Sequence, residues 1–311
     1  MLEIAVLIPC HNEEVAIPAV IRGFRSALPN ARIYVYDNNS TDRTREAALA
    51  AGAVVRREDL QGKGQVVRRM FADIDADIYV LVDGDATYDP CDAPAMVRRL
   101  RDEQLDMVVG MRVSDELAAY RRGHRFGNGL LTALTGYIFG RTFTDILSGY
   151  RVFSRRFVKS YPAHATGFEV ETELTVYALE QRMPVVEVPT RYVSRMQGSE
   201  SKLSTWRDGW RILLTIIKLT KNGKPLAFFS AISAMCLALS VALAMPLFAT
   251  YFETGLVPRF PTAILCAALV LLAGSLFVCG LILDTVTLGR REQRRLAYLS
   301  YPPLSDDKAV H

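Results

Sequence analysis

Two long stretches in the second half of the chain contain no charged residue. Residues 225–252 form an uncharged run of 28 positions, and residues 260–283 form a second run of 24. About 20 apolar residues are enough for a helix to cross the hydrocarbon core of a membrane. The sequence therefore predicts two transmembrane helices, at about 225–252 and 260–286, within a hairpin segment of residues 225–289.

Basic residues flank both runs and predict their orientation. The connector between the runs carries only Glu253 and Arg259, whereas lysines precede the first run and arginines follow the second. By the positive-inside rule, both flanks are cytoplasmic and the connector is outside. We expect an integral membrane protein whose amino-terminal domain and basic tail, residues 290–311, are cytoplasmic. The flanking residues are Lys218, Lys221, Lys224, Arg290, Arg291, Arg294 and Arg295.

The region ahead of the first run, residues 203–224, shows apolar residues at helical spacing with basic residues on other faces. This pattern, which includes Trp206 and Trp210, favours an amphipathic helix at the membrane interface. A helix packed on a globular domain would show the same pattern. Because basic residues cluster at the membrane flanks, the formal net charge of +4 indicates membrane lipid as a partner and no nucleic acid.

Four short apolar segments alternate with helical patterns in the first part of the chain. Segments 2–8, 33–36, 53–55 and 78–82 are typical of buried strands. Helical patterns with polar caps lie between them. The resulting βαβαβαβ order predicts an α/β domain with a parallel sheet and helices on both faces.

Asp83-Gly84-Asp85 directly follows the apolar segment 78–82. In open α/β sheets, ligands bind beyond the carboxyl ends of the strands, which is where these two carboxylates would lie. Mg²⁺ and Mn²⁺ prefer oxygen ligands and bind through one or two carboxylates plus substrate phosphates. The motif therefore favours a divalent cation with a diphosphate, although acidic turns of this kind also occur without either.

Two other segments bear on nucleotide binding. Asp37 follows the second apolar segment and is either a nucleotide partner or a turn residue that caps the next helix. No GxGxxG follows the first segment, and Gly62-Lys63-Gly64 lacks the spacing of a P-loop. A Rossmann dinucleotide site and a P-loop are both disfavoured.

Five motifs occur in an order that resembles one enzyme family. Together they are similar to the family-two glycosyltransferases of GT-A fold, specifically the polyprenyl-phosphate glycosyltransferases related to dolichyl-phosphate mannose synthase. The resemblance covers residues 1–202 and implies a GT-A catalytic domain, Rossmann-like with a mostly parallel sheet, followed by the two-helix transmembrane hairpin. The motifs are Pro9-Cys10-His11-Asn12-Glu13-Glu14, Asp37-Asn38-Asn39-Ser40-Thr41-Asp42-Arg43-Thr44, Gly62-Lys63-Gly64, Asp83-Gly84-Asp85 and Ser148-Gly149-Tyr150-Arg151.

The resemblance implies roles for residues that bind a UDP- or GDP-linked sugar. Asp85 would be the main ligand of Mg²⁺ or Mn²⁺, and Asp83 would face the ribose and the metal. Thr87 stands where the mannose synthases have a metal-binding Gln, so Thr87 is a third candidate ligand whose role stays open. The other nucleotide-binding candidates are Pro9, Asn12, Glu13, Asp37, Asn39, Lys63 and Gly84.

Basic residues in the second half of residues 1–202 fit an acceptor that is itself a phosphate. Two phosphate groups in one cleft repel each other unless cations lie between them. Arg112 and Arg125 resemble phosphate-binding arginines of the family. Arg195 and Lys202 resemble the residues at its acceptor-phosphate end. The alternative interpretation of each single arginine is a solvated surface charge with no role in binding.

The resemblance implies metal-dependent, inverting transfer of a sugar to a polyprenyl monophosphate at the cytoplasmic membrane face. A phosphate monoester carries about −1.5 to −2 charge near neutral pH, so it needs no general base. A transferase of the same fold acting on a glycan or another lipid would need a carboxylate base, for which Glu169 and Glu171 are present. These two acids otherwise orient the sugar or cap a helix. A non-catalytic sugar-nucleotide-binding scaffold is the alternative of another class, and a homo-oligomer is left open.

Overall fold

The computed structural model describes residues 2–113, 143–163, 165, 167, 169–193, 221, 223–257 and 259–304. The chain divides into two units, one made of residues 1–212 and 293–311 and the other of residues 213–292. Four sequence predictions fall outside the described residues: Arg125, Arg195, Lys202 and most of the interfacial segment 203–224.

The first unit is built on a mixed sheet. Its strands are β1 (Ile4–Cys10), β2 (Arg32–Asp37), β3 (Val54–Arg57), β4 (Ile78–Leu81), β5 (Met107–Val113), β6 (Arg151–Ser154) and β7 (Val185–Arg191). In the described part of the chain these seven strands form one sheet of order β3-β2-β1-β4-β6-β5-β7. Every neighbouring pair is parallel except the two that involve β6, which is antiparallel to β4 and β5.

Helices alternate with these strands and continue beyond them. They are α1 (Ile17–Ala27), α2 (Thr44–Ala50), α3 (Lys63–Asp73), α4 (Ala93–Asp102), α5 (Arg155–Ser160), α6 (Val170–Glu180), α7 (Pro225–Thr254) and α8 (Phe260–Leu299).

The central strands alternate between two apolar cores. Leu7 of β1 and Leu81 of β4 lie in one core with Phe71 of α3. Val6 and Val80, one residue earlier in each strand, lie in the other core with residues of α1 and α4. Successive side chains of a strand point to opposite faces, so a strand covered by helices on both faces is apolar throughout. The predicted, mostly parallel α/β sheet is confirmed.

The antiparallel strand β6 determines which loops meet at the carboxyl edge of the sheet. Arg151, the first residue of β6, pairs with Leu81 of β4 and with Val109 of β5. Because β6 runs in the opposite direction, the residues that precede it lie where β4 ends. Ser148-Gly149-Tyr150 therefore lies at the same edge as Asp83-Gly84-Asp85.

The second unit contains α7 and most of α8. An 18-residue window of each helix has a mean hydropathy of 2.2 in α7 and 2.6 in α8. By length and composition, both helices are able to cross a membrane. The hydroxyl of Ser233 donates to the carbonyl of Ala273 at 2.7 Å, and Ser240 donates to the carbonyl of Cys266 at 2.9 Å. Such side-chain bonds between helices are typical of apolar helix pairs.

The last turns of α8 belong to the first unit. Tyr298 donates its hydroxyl to the Asp106 carboxylate at 2.8 Å. Asp106 is fully buried, and it also accepts from Ser154 at 2.7 Å and from two guanidinium nitrogens of Arg156. A buried carboxylate is stable only when it is well paired, so these contacts stabilise the packing of residues 293–299 within this unit.

Candidate active site

Several carboxylates gather where the parallel strands β1, β2 and β4 end. Asp37 is the last residue of β2, Asp83 and Asp85 follow β4, and Glu13 lies in the loop after β1. Burial raises the pKa of the Cys10 thiol at the end of β1, and the charges of these four carboxylates raise it further. The negative charges of all four acids that the sequence predicted to bind the donor therefore act on the same buried thiol.

The turn after Asp83 holds Asp85 in one orientation. The hydroxyl of Thr87 donates to Oδ1 of Asp85 at 2.6 Å, and the Thr87 N–H donates to the same oxygen at 3.2 Å. Ala86, between them, has a φ of 57°, a left-handed conformation that costs free energy for a residue with a Cβ. Thr87 is buried and orients the Asp85 carboxylate. Its role as a metal ligand remains a prediction.

Asp83 lies against the backbone of Gly149. A Cβ atom at residue 149 would collide with the Asp83 carboxylate, so this approach requires glycine. The glycine is held in place because its N–H donates to the Tyr88 hydroxyl at 2.9 Å. Next to it, the Ser148 hydroxyl donates to the carbonyl of Gly110 at 2.5 Å. The loop before β6 thereby limits where the Asp83 side chain can lie.

Lys63, the first residue of α3, contacts acids from two other elements. Its ammonium donates to Asp83 Oδ1 and to Glu171 Oε1, in the first turn of α6. Burial alone would lower the pKa of Lys63, but the charges and hydrogen bonds of Asp83 and Glu171 raise it above its ordinary value. Lys63 therefore keeps its positive charge beside the predicted metal site.

Arg112, near the end of β5, forms a two-pronged ion pair. Its Nε and Nη2 donate to the two carboxylate oxygens of Asp145 at 2.7 and 2.8 Å. The guanidinium also lies over the ring of Tyr192, 5.6 Å from the ring centre. The Asp145 side chain is buried and fixes the orientation of Arg112. Contact of Arg112 with a phosphate remains a prediction.

Comparison with known proteins identifies the chain. The model of the family Glycosyl transferase family 2 matches residues 5–161, which run from the second residue of β1 to beyond β6 and include the acidic turn. The chain belongs to glycosyltransferase family 2.

Two curated relatives and one solved structure illustrate the relationship of this family-2 enzyme. Glycosyltransferase AglJ of Haloferax volcanii is 34% identical over 295 residues, which are 94% of this chain and 96% of that protein. The dolichyl-phosphate hexose transferase of the same organism is 28% identical, over 70% of this chain and 93% of that protein. Glucosyl-3-phosphoglycerate synthase of Mycobacterium tuberculosis, in complex with Mn²⁺, UDP-glucose and phosphoglyceric acid, has a TM-score of 0.57 and 25% identity, covering 71% of this chain and 79% of that one. The GT-A fold and the glycosyltransferase class are thereby confirmed.

The two loops that the family-2 motifs predicted to bind the nucleoside are tied to each other. Asn12 has a φ of 53°, and its Oδ1 accepts from the N–H of Thr41 at 2.8 Å. Asn39 has a φ of 59°, and its Nδ2 donates at 2.8 Å to the carbonyl of Asp59, which lies in a third loop, after β3. Pro9 lies in β1 beside Tyr36. These contacts shape the loops, and direct contact of these residues with a nucleotide remains a prediction.

Two buried side chains support the site; both belong to the motifs quoted above, but the sequence assigned neither of them a role. Asn38 accepts from the N–H of Gly62 at 2.8 Å and donates to the carbonyl of Leu60 at 2.8 Å, which fixes the approach to Lys63. Arg151, 0% exposed, donates to the carbonyls of Ile146 and Ser148 at 2.6 and 2.9 Å. Only the packed fold shows that these polar groups are buried and paired.

The donor atoms of the acidic turn fit a hard divalent cation. Asp83 and Asp85 offer carboxylate oxygens at the carboxyl edge, and Gly84 lets the turn approach Cys10. No group of three or more His, Cys, Asp or Glu able to hold a metal occurs among the residues described. Mg²⁺ and Mn²⁺ do not need one, since substrate phosphates and water complete their coordination.

Gly149→Ala should reduce sugar transfer at least tenfold, because the new Cβ would displace the Asp83 carboxylate. The rate of transfer and the affinity for UDP, measured by calorimetry, both test this. Gly274→Ala is the control, since a Cβ there meets no atom within 4 Å. Equal activity of the two variants would show that the close approach of Gly149 to Asp83 has no part in the site.

Proposed function

We propose that this glycosyltransferase moves a sugar from a UDP- or GDP-linked donor to a polyprenyl monophosphate at the cytoplasmic face of a membrane. The acidic turn Asp83-Gly84-Asp85 at the carboxyl edge, in a chain that continues into α7 and α8, is the observation that carries the proposal. The relative whose name specifies a dolichyl-phosphate hexose transferase supports the choice of a lipid phosphate as acceptor.

Asp85 and Asp83 are the residues proposed to hold Mg²⁺ or Mn²⁺. The metal would neutralise charge that develops on the diphosphate leaving group. Thr87 fixes one oxygen of Asp85 through its hydroxyl, so the carboxylate is oriented before any ligand arrives. Lys63 places a second positive charge beside Asp83, where a diphosphate would lie.

The acceptor oxygen is proposed to attack the anomeric carbon from the face opposite the diphosphate, which inverts the configuration. A phosphate monoester is already ionised, so the enzyme has to position two anions and has no proton to remove. Arg112, Arg125, Arg195 and Lys202 are the cations proposed for this task. The Glu171 carboxylate is occupied by the ammonium of Lys63, which disfavours a role for Glu171 as the general base of a sugar-hydroxyl acceptor.

The test is to incubate the purified protein with undecaprenyl phosphate and a panel of UDP- and GDP-sugars, and to identify lipid products by mass spectrometry. A product heavier by one sugar should form, and Asp85→Asn should reduce its formation at least a hundredfold, because an amide cannot replace a carboxylate against a divalent cation. Asp102→Asn, at an exposed ion pair with Arg101, is the matched control and should retain activity.

Other outcomes of this assay would favour the alternatives. Transfer only to sugar hydroxyls would favour a glycan- or lipid-modifying transferase, and donor binding without any transfer would favour a scaffold. Full activity of Asp85→Asn, or of the wild-type protein with excess chelator, would contradict the assignment of the metal to this turn.

The proposed orientation predicts that a reporter fused after His311 will be cytoplasmic, and that one inserted near Gly255 will be outside. The reason is that Lys and Arg residues flank the two uncharged runs, whereas the connector carries Arg259 alone. Protease added to intact cells should cleave at the connector. Protection of the connector from that protease would contradict the orientation.

A further inference from the structure

Glu171 is a buried acid in the site for which the proposed transfer step has no use. It lies in the first turn of α6, and its side chain is 6% exposed. Its Oε1 accepts from the ammonium of Lys63 at 2.5 Å. A buried carboxylate needs a positive partner, and Lys63 supplies one.

Lys63 is shared between this buried acid and an accessible one. The Lys63 side chain is 10% exposed, whereas that of Asp83, its second partner, is 30% exposed. An ion that arrives from solvent can therefore reach Asp83 more readily than Lys63 or Glu171. The three groups come from α3, the turn after β4 and α6, so the sharing depends on the folded site.

A divalent cation and the Lys63 ammonium compete for the same carboxylate. Two cations in contact with one carboxylate repel each other. Binding of a divalent cation therefore weakens the contact between the ammonium and Asp83. The hydrogen bond to Glu171 keeps the ammonium within the site.

We propose that Lys63 is the cation that neutralises the donor-free site, and that Glu171 is a positioning residue that keeps its ammonium in place when a divalent cation takes Asp83. The ammonium, still held by Glu171, then turns to the donor diphosphate. This inference rests on the proposed metal and nucleotide-sugar binding, and not on the identity of the acceptor.

Binding of Mn²⁺ alone, followed by the loss of the free-ion signal in electron paramagnetic resonance, tests the first step. Glu171→Gln leaves Lys63 with Asp83 as its remaining carboxylate partner of the two, so the variant should bind Mn²⁺ roughly tenfold more weakly than the wild type. Glu46→Gln, the same change in the exposed first turn of α2, is the matched control and should bind as the wild type does.

The double variant Lys63→Gln/Glu171→Gln tests whether Glu171 acts through Lys63. Removing both charges avoids an unpaired buried carboxylate, so this variant should fold, which thermal unfolding in detergent checks. Its Mn²⁺ affinity should equal or exceed that of the wild type, because no ammonium competes. Its affinity for UDP at saturating Mn²⁺, measured by calorimetry, should still be at least tenfold lower, because the diphosphate has lost the ammonium.

Unchanged Mn²⁺ and UDP binding by Glu171→Gln would overturn the inference, as would a double variant that binds Mn²⁺ as weakly as Glu171→Gln. A wild-type protein that binds no Mn²⁺ would overturn both the inference and the proposed metal dependence. The expected binding pattern without any polyprenyl-linked product would support the inference and would overturn only the proposed acceptor.

Discussion

The concentration of negative charge at the carboxyl edge of the sheet is the constraint on which this site depends. Asp37, Asp83, Asp85 and Glu13 all raise the pKa of the buried Cys10 thiol. Such a cluster is tolerated only with positive charge nearby, and Lys63 provides part of it beside Asp83. The same electrostatics make the edge suitable for a divalent cation and a diphosphate. Stability without ligand and affinity for ligand therefore have one physical origin.

The antiparallel strand β6 connects the fold to this electrostatic arrangement. It brings Gly149 against Asp83, which a parallel strand at the same position would not do. The buried Arg151 side chain donates hydrogen bonds to the carbonyls of Ile146 and Ser148. The Tyr88 hydroxyl accepts from the Gly149 N–H. The Asp83 carboxylate is thus confined by the backbone of Gly149 and by the ammonium of Lys63. Confinement of this kind orients side chains before substrate binds.

Much of the fold could be predicted from the periodicity of apolar residues in the sequence. Most of the side-chain contacts within the site could not. The apolar segment 78–82 corresponds to β4, and the two uncharged runs correspond to parts of α7 and α8, because burial and length are local signals. Lys63 and Glu171 are 108 residues apart, and Arg112 and Asp145 are 33 apart. Their contacts depend on tertiary packing. The contact of Tyr298, in the last turn of α8, with Asp106 is likewise tertiary.

Asp83 and Asp85 are proposed to hold the cation that binds the donor diphosphate. Electron cryo-microscopy of the full chain in a lipid nanodisc, with UDP and Mn²⁺ present, tests it most directly. We expect metal density in contact with the Asp85 carboxylate and with oxygens of the diphosphate, at the end of β4. A diphosphate bound elsewhere, or bound at this edge with metal density away from both aspartates, would contradict it.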